Sequence, residues 1–140
     1  MSQNDLEYIS RILKNNEGDK LEVKLSADGF KDNVAKALCG LANHRGGKVI
    51  IGLAELKFYK PEMGDYDLED IINNEYIIYG VNNTDRVRLD LSSHLRANTN
   101  LGVSVDKLYS VLELVINDKK VIILKVKPLF LENNFLTTYK

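Results

Sequence analysis

Hydrophobic positions recur along the chain with two periods, and the switches between them predict a mixed fold. Leu6, Ile9, Ile12 and Leu13 fall at helical spacing within residues 5–15, with Gly18 beyond them as a stop. Residues 20–25 alternate strictly: Leu21, Val23 and Leu25 face one way and Lys20, Glu22 and Lys24 the other, the pattern of a half-buried strand. Phe30, Val34, Ala37, Leu38, Leu41 and Ala42 build an amphipathic helix over 30–44, which Gly46-Gly47 ends. Residues 48–53 are a continuous apolar run, Lys-Val-Ile-Ile-Gly-Leu, as in a central strand.

The second half is less regular at first. Residues 54–75 hold Pro61, Gly64 and six acidic side chains from Glu62 to Glu75 without a basic one, which predicts a solvated excursion with a short helix over 67–73. Residues 75–81 read as a strand. Thr84-Asp85 opens a helix to about Arg96, with Val87, Leu91 and Leu95 at helical spacing. Residues 108–116 and 120–127 are apolar strands around Asn117-Asp118-Lys119, a hairpin signal. The order implies an α/β (mixed α+β) fold in which helices cover a mixed sheet of about five strands. No repeat or linker divides the 140 residues, so a single domain is expected, with its core at about 15–127 and a loosely held tail over 128–140.

Composition narrows the class. Hydrophobic residues at 44% and charged residues at 28% are ordinary globular usage, which excludes wholesale disorder. One cysteine, Cys39, excludes an internal disulfide and a Cys-rich zinc cluster; on the apolar stripe of its helix it reads as a small buried hydrophobe. No apolar run approaches the ~18 residues of a membrane span, and the first residues lack a signal-peptide layout. A reducing cytoplasm is therefore expected, with the nucleus as alternative and no membrane partner. The net charge of −1 is unevenly spread. Residues 1–60 carry ten basic and eight acidic side chains, residues 61–118 four and eleven, and residues 119–140 five and one. Two mildly basic ends flank an acidic middle, where a duplex-coating protein is usually more basic throughout.

Candidate chemistry gathers in two stretches. Residues 42–49 (Ala-Asn-His-Arg-Gly-Gly-Lys-Val) imitate a phosphate-binding loop. Val49 replaces the hydroxyl residue that holds magnesium, however, and the order is helix–loop–strand, so nucleotide hydrolysis is rejected. The glycines there permit close approach of backbone or phosphate, although helix termination alone explains them. Arg45 and Lys48 are candidates for phosphate contact, Asn43 for pinning the turn, and Lys31 and Lys36 for plain solvating charge. The other stretch is 17–24. Glu22 and Lys24 share one face of a strand and Glu17 precedes it, an acidic–x–Lys pattern that metal-dependent nucleases use to hold Mg²⁺ or Mn²⁺ against a phosphate. Glu55, past the central strand, could supply a third carboxylate. The same alternation also describes an ordinary solvent-facing strand.

Together, Glu17, Glu22-Val-Lys24, the helix ending Leu41-Ala-Asn43-His-Arg-Gly46-Gly47 and the strand Val49-Ile-Ile-Gly52-Leu53 resemble the AlbA-like domain of the Schlafen family. The resemblance extends through Ile78-Tyr-Gly80-Val81 to the final hairpin and covers about residues 15–127. It implies a nucleic-acid-binding α/β domain, with RNA favoured over DNA. Some relatives cleave RNA with two glutamates, an aspartate and a divalent cation. Those acids map onto Glu17, Glu22 and Ala54 or Glu55, where the family has Asp-Asp. The alternative implied is thus an endoribonuclease with Glu17, Glu22 and Glu55 on Mg²⁺ or Mn²⁺, assisted by Lys24; a further one is a non-catalytic interaction module. Larger relatives place two lobes side by side, so a homodimer of this single lobe is also expected.

Overall fold

The backbone turns with positive φ at Gly46, Gly52, Asn73-Asn74 and Asn117-Asp118, and these turns set the architecture. The computed structural model describes residues 2–15, 21–25, 32–99 and 106–128. In chain order the elements are helix α1 (Ser2–Lys14), strand β1 (Leu21–Lys24), helix α2 (Asp32–Ala42), β2 (Gly47–Ile51), β3 (Leu53–Glu55), β4 (Ile71–Ile72), β5 (Tyr76–Ile78), helix α3 (Thr84–Asn98), β6 (Tyr109–Ile116) and β7 (Lys119–Val126). The mixed α/β class is as the periodicity predicts. The expected tail falls on residues that, from 129 on, lie outside the described ones. Among the described residues no helix is long and apolar enough to cross a membrane.

Where a single sheet of about five strands is expected, the described residues form two sheets. One has the order β1-β2-β7-β6 and the other β3-β5-β4. β1 runs parallel to β2, with Glu22 beside Val49 and Lys24 beside Ile51, while β2–β7 and β7–β6 are antiparallel. The apolar run 48–53 does not continue as one strand because Gly52 adopts φ +111°, which side-chain-bearing residues rarely do. Its carbonyl accepts from the N–H groups of Tyr79 and Gly80, both at 2.9 Å, and the chain passes into the second sheet.

Two apolar layers sandwich the four-stranded sheet. On one face Val34, Leu38 and Cys39 of α2 and Val87, Leu91 and Leu95 of α3 pack on Val49, Ile51, Ile122 and Leu124. On the other, Ile9 and Leu13 of α1 meet Ile50, Val121 and Ile123 together with Leu53, Ile72 and Ile78 of the second sheet. Burying one such aliphatic side chain is worth about 1.5–3 kcal/mol. α3 begins where Asn83 accepts the Arg86 N–H at 3.0 Å, an N-cap one residue ahead of the expected Thr84.

The acidic excursion is solvated, as expected, over 55–69, and Asp70 at its end is the exception. The excursion holds three short 3₁₀ turns, and the last, Leu68–Asp70, stands in place of the helix expected at 67–73 and leads into β4. Asp70 is 2% exposed. Its carboxylate accepts from Lys119 Nζ at 2.9 Å and from Asn117 Nδ2 at 3.2 Å, which ties the excursion to the β6–β7 turn. The bond to Lys119 raises that lysine's pKa above its ordinary value. Tyr59 and Tyr79 both donate to the Gly64 carbonyl, at 3.1 and 3.3 Å, and Tyr59 stacks edge-on against Tyr66. At the β4–β5 turn, Asn73 takes φ 55° and exchanges two hydrogen bonds with Ser10 of α1.

Candidate functional site

The alternation of β1 settles which way its polar side chains point. Leu21 and Val23 pack into the layer under α1, so Glu22 and Lys24 face the α2 side. There they form the floor of a groove of about 720 Å³. Its wall is the polar face of α2 and the turn after it: Asn33, Lys36, Gly40, His44, Arg45 and Gly46. The groove lies between an edge strand and a helix C-terminus, with Lys24 and Glu22 partly exposed and their charges 3.9 Å apart.

Local sequence explains the wall. α2 buries its apolar stripe, so Lys36, Gly40 and His44, four residues apart, rise along the opposite face. The helix stops because Gly46 takes φ +79° and donates its N–H to Leu41 O at 2.8 Å, a left-handed helix terminus. A side chain at Gly46 would bring its Cβ within 2.5 Å of Val126 O, so this position also fixes how the turn seats on β7. Gly40 differs. A Cβ there would meet nothing within 4 Å, so the glycine leaves open space over the groove. Cys39, on the buried stripe beside it, has its thiol pushed up to about 11 by burial.

Among the described residues, charge in the groove is predominantly positive: Lys24, Lys36 and Arg45 against Glu22, with the His44 ring adding a further hydrogen-bonding group. Such convergence in a concave site favours a multiply anionic ligand.

The chain matches no protein-family model and no curated protein. Its fold does have a solved counterpart. The N-terminal domain of an ATP-dependent DNA helicase RecG-related protein from Nitrosomonas europaea, determined by NMR in solution, superposes with a TM-score of 0.67. That match covers 96% of this chain and 79% of the other at 14% identity. The DIP2311 protein from Corynebacterium diphtheriae is 12% identical over 97% of this chain and 24% of its own, with a TM-score of 0.49. At 14% identity the first likeness establishes a shared fold.

The residues singled out from sequence divide. Glu22, Lys24 and Arg45 come together in the groove. Glu17 lies outside the described residues. Lys48 shares the face of Ile50, on the opposite side of the sheet from Glu22 and Lys24, and stands across from Lys125 on β7. It does not adjoin Arg45 in the groove because the strand begins at Gly47 and reverses side at each residue. Glu55 lies three residues past the Gly52 bend and lines a separate cavity of about 310 Å³ with Asn74, Glu75 and Tyr76. Its carboxylate stands 3.7 Å from Lys57 Nζ. Among the described residues no three His, Cys, Asp or Glu side chains gather as a metal would need. Glu22 is the groove's one carboxylate among them, and its charge lies 3.9 Å from that of Lys24. Lys36, assigned from sequence to plain solvation, and His44, not singled out there as a contact, also line the groove. The signal was present in the i, i+4, i+8 spacing of Lys36, Gly40 and His44 opposite the apolar stripe.

Proposed function

We propose that this chain is a nucleic-acid-binding domain that contacts the phosphate backbone through the β1–α2 groove, with RNA preferred to DNA. The observation that carries this reading is the convergence of Lys24, Lys36 and Arg45 around one carboxylate in a groove whose helix wall is cleared at Gly40. Lysine and arginine neutralise phosphates whatever the sequence, and Arg45 can hold one with two parallel hydrogen bonds. A groove of about 720 Å³ admits a nucleotide or two of a single strand or chain end; it is too local to enclose a duplex. The resemblance of the groove-forming motifs to the Schlafen AlbA-like domain supports the same ligand class. So does the occurrence of this fold at the start of a helicase-related protein.

Glu22 shapes specificity in this reading. A carboxylate 3.9 Å from Lys24 repels a phosphate placed directly over it, yet can accept a hydrogen bond from a ribose hydroxyl, which RNA has and DNA lacks. The test is a gel-retardation assay with matched single-stranded RNA and DNA, each in Mg²⁺, Mn²⁺ or EDTA. Retarded, intact RNA in all three conditions is expected. Absence of retardation at low salt overturns the proposal.

A further inference from the structure

β6 forms one margin of the four-stranded sheet, and the backbone geometry of its hairpin shows which groups face outward. Ile116 and Lys119 close a two-residue turn in which Asn117 and Asp118 take φ 52° and 63°. The even-numbered residues of β6 therefore direct their N–H and C=O groups to β7, as the bond from the Lys127 N–H to Leu108 O at 2.7 Å continues. Tyr109, Val111, Glu113 and Val115 direct theirs away from the sheet. At Val115 the N–H is already taken, donating to the Asp5 carboxylate at 2.8 Å. Among the described residues the outward groups of the other three meet no partner.

Beside this edge runs a shallow channel of about 510 Å³, lined by Leu89 and Ser92 of α3 and by Tyr109 and Val111. Leu89 is 63% exposed, and on β6 itself Leu112 and Val115 are 36% and 42% exposed. Unpaired backbone groups flanked by exposed aliphatic side chains make an edge that accepts another strand.

We propose that the occupant is a second copy of this chain, its β6 running antiparallel to β6 here about a two-fold axis through Val111. The register follows from what is open. Asp5 closes the edge at Val115, so the available outward residues are 109, 111 and 113, centred on Val111. A two-fold axis there pairs Tyr109 with Glu113 of the second copy, uses all three, and leaves none unmatched. The charges agree with it. Exposed Lys107 falls opposite position 115 of the second copy, where that copy's Asp5 sits, so an ammonium meets a carboxylate at each end. Glu113 remains satisfied by Arg88 at 3.0 Å within its own chain and adds no unpaired charge. The two sheets then become one of eight strands with β1 at both ends and α2 and α3 on the same face. Two grooves would stand roughly 34 Å apart across seven strand spacings.

Light scattering over a concentration series tests the proposal, with the Val111→Pro and Val111→Cys variants. The expected mass is twice the 15.9 kDa of the chain. Val111→Pro should return it to one chain mass with an unchanged circular dichroism spectrum, because that N–H makes no bond to β7 and an edge strand tolerates proline. Val111→Cys should cross-link to itself on oxidation, since directly opposed residues in a hydrogen-bonded antiparallel pair lie about 5.5 Å apart at Cα, within disulfide range. Buried Cys39 alone should give no cross-link. A wild-type chain that keeps the single mass, whether its edge is bare or covered by its own residues, overturns the proposal. So does a dimer that survives Val111→Pro, or a Val111→Cys variant that forms no cross-link on oxidation.

Discussion

The backbones of Gly52 and Gly80 lie in direct contact: the Gly80 N–H donates to Gly52 O at 2.9 Å, and a Cβ on Gly52 would sit 3.3 Å from Gly80 Cα. Both residues hold positive φ, +111° and +81°. Here the chain leaves one sheet and enters the other, and the Gly52 N–H still donates to Lys24 O at 2.8 Å. A bend that ends β2, ties it to Lys24 of β1 and releases the second sheet thus rests on two residues without side chains.

Replacing either glycine should therefore cost more than lost flexibility. Gly52→Ala and Gly80→Ala are each expected to destabilise by about 1–3 kcal/mol, the range for backbone held in a rarely populated region. The Gly80 variant should stand at the upper end, since its Cβ also meets Lys119 Cβ at 3.0 Å. Urea unfolding midpoints measure both, and a neutral Gly52→Ala would show that the bend relaxes.

The buried Asp70 carboxylate makes a second prediction. Lys119→Met should destabilise by about 1–3 kcal/mol, because a buried charge keeps only the Asn117 bond. Adding Asp70→Asn should recover part of that loss by removing the charge. Since Lys119 gains a partner on folding and its pKa is raised, the stabilisation is complete below the ordinary lysine value and is lost as pH rises through the raised one. Thermal unfolding of the three proteins between neutral and strongly alkaline pH checks the sign.

Binding should follow the geometry of the groove. If phosphate contacts dominate, the logarithm of affinity for single-stranded RNA should fall with the logarithm of salt, each contact contributing a slope of about −0.7. Lys24→Ala, Lys36→Ala and Arg45→Ala should each flatten the slope by about that amount. Lys48→Ala, on the other face of the sheet, should leave it unchanged. A loss at Lys48 equal to that at Arg45 would move the contact surface across the sheet.

Much of this was legible in the residues. The strict alternation of 20–25 placed Glu22 and Lys24 on one face, and the α2 stripe placed Cys39 in the core, because period and burial are coupled directly. The bend at Gly52 was not legible. An apolar run containing glycine reads the same whether it continues or turns, and only the Gly80 contact, nearly thirty residues later, decides it. The separation of Glu55 from Glu22 follows from that same bend. Within the acidic excursion Asp70 alone misled, for a related reason: it looks like one solvated acid among six, and its burial depends on Lys119 arriving from the final hairpin.

Cys39 supplies the last prediction. Burial moves its thiol from 9.0 to about 11, so the unfolded chain ionises first as pH rises. Stability from this group is complete below about pH 9 and declines through about pH 11, by about 2–3 kcal/mol in all. Cys39→Ala should remove that part of the alkaline decline, and the native thiol should react slowly with an alkylating reagent at neutral pH. Equal alkaline profiles for the two proteins would show that the thiol is not buried in solution.

The central pairing of β2 with β7 has a consequence for synthesis. Gly47 lies against Val126 and Ile51 against Ile122, so the middle of the sheet joins parts of the chain 71 to 79 residues apart. While the ribosome is extending the chain, β2 lacks its antiparallel neighbour β7, and the apolar residues of the β1–β2 pair wait until the hairpin emerges. Contacts this distant slow folding, because the long loop must close before its reward is collected. The nascent groove strand is thus exposed to premature association throughout translation, and a charged pair at Glu22 and Lys24 on its outer face works against that before it works on any ligand.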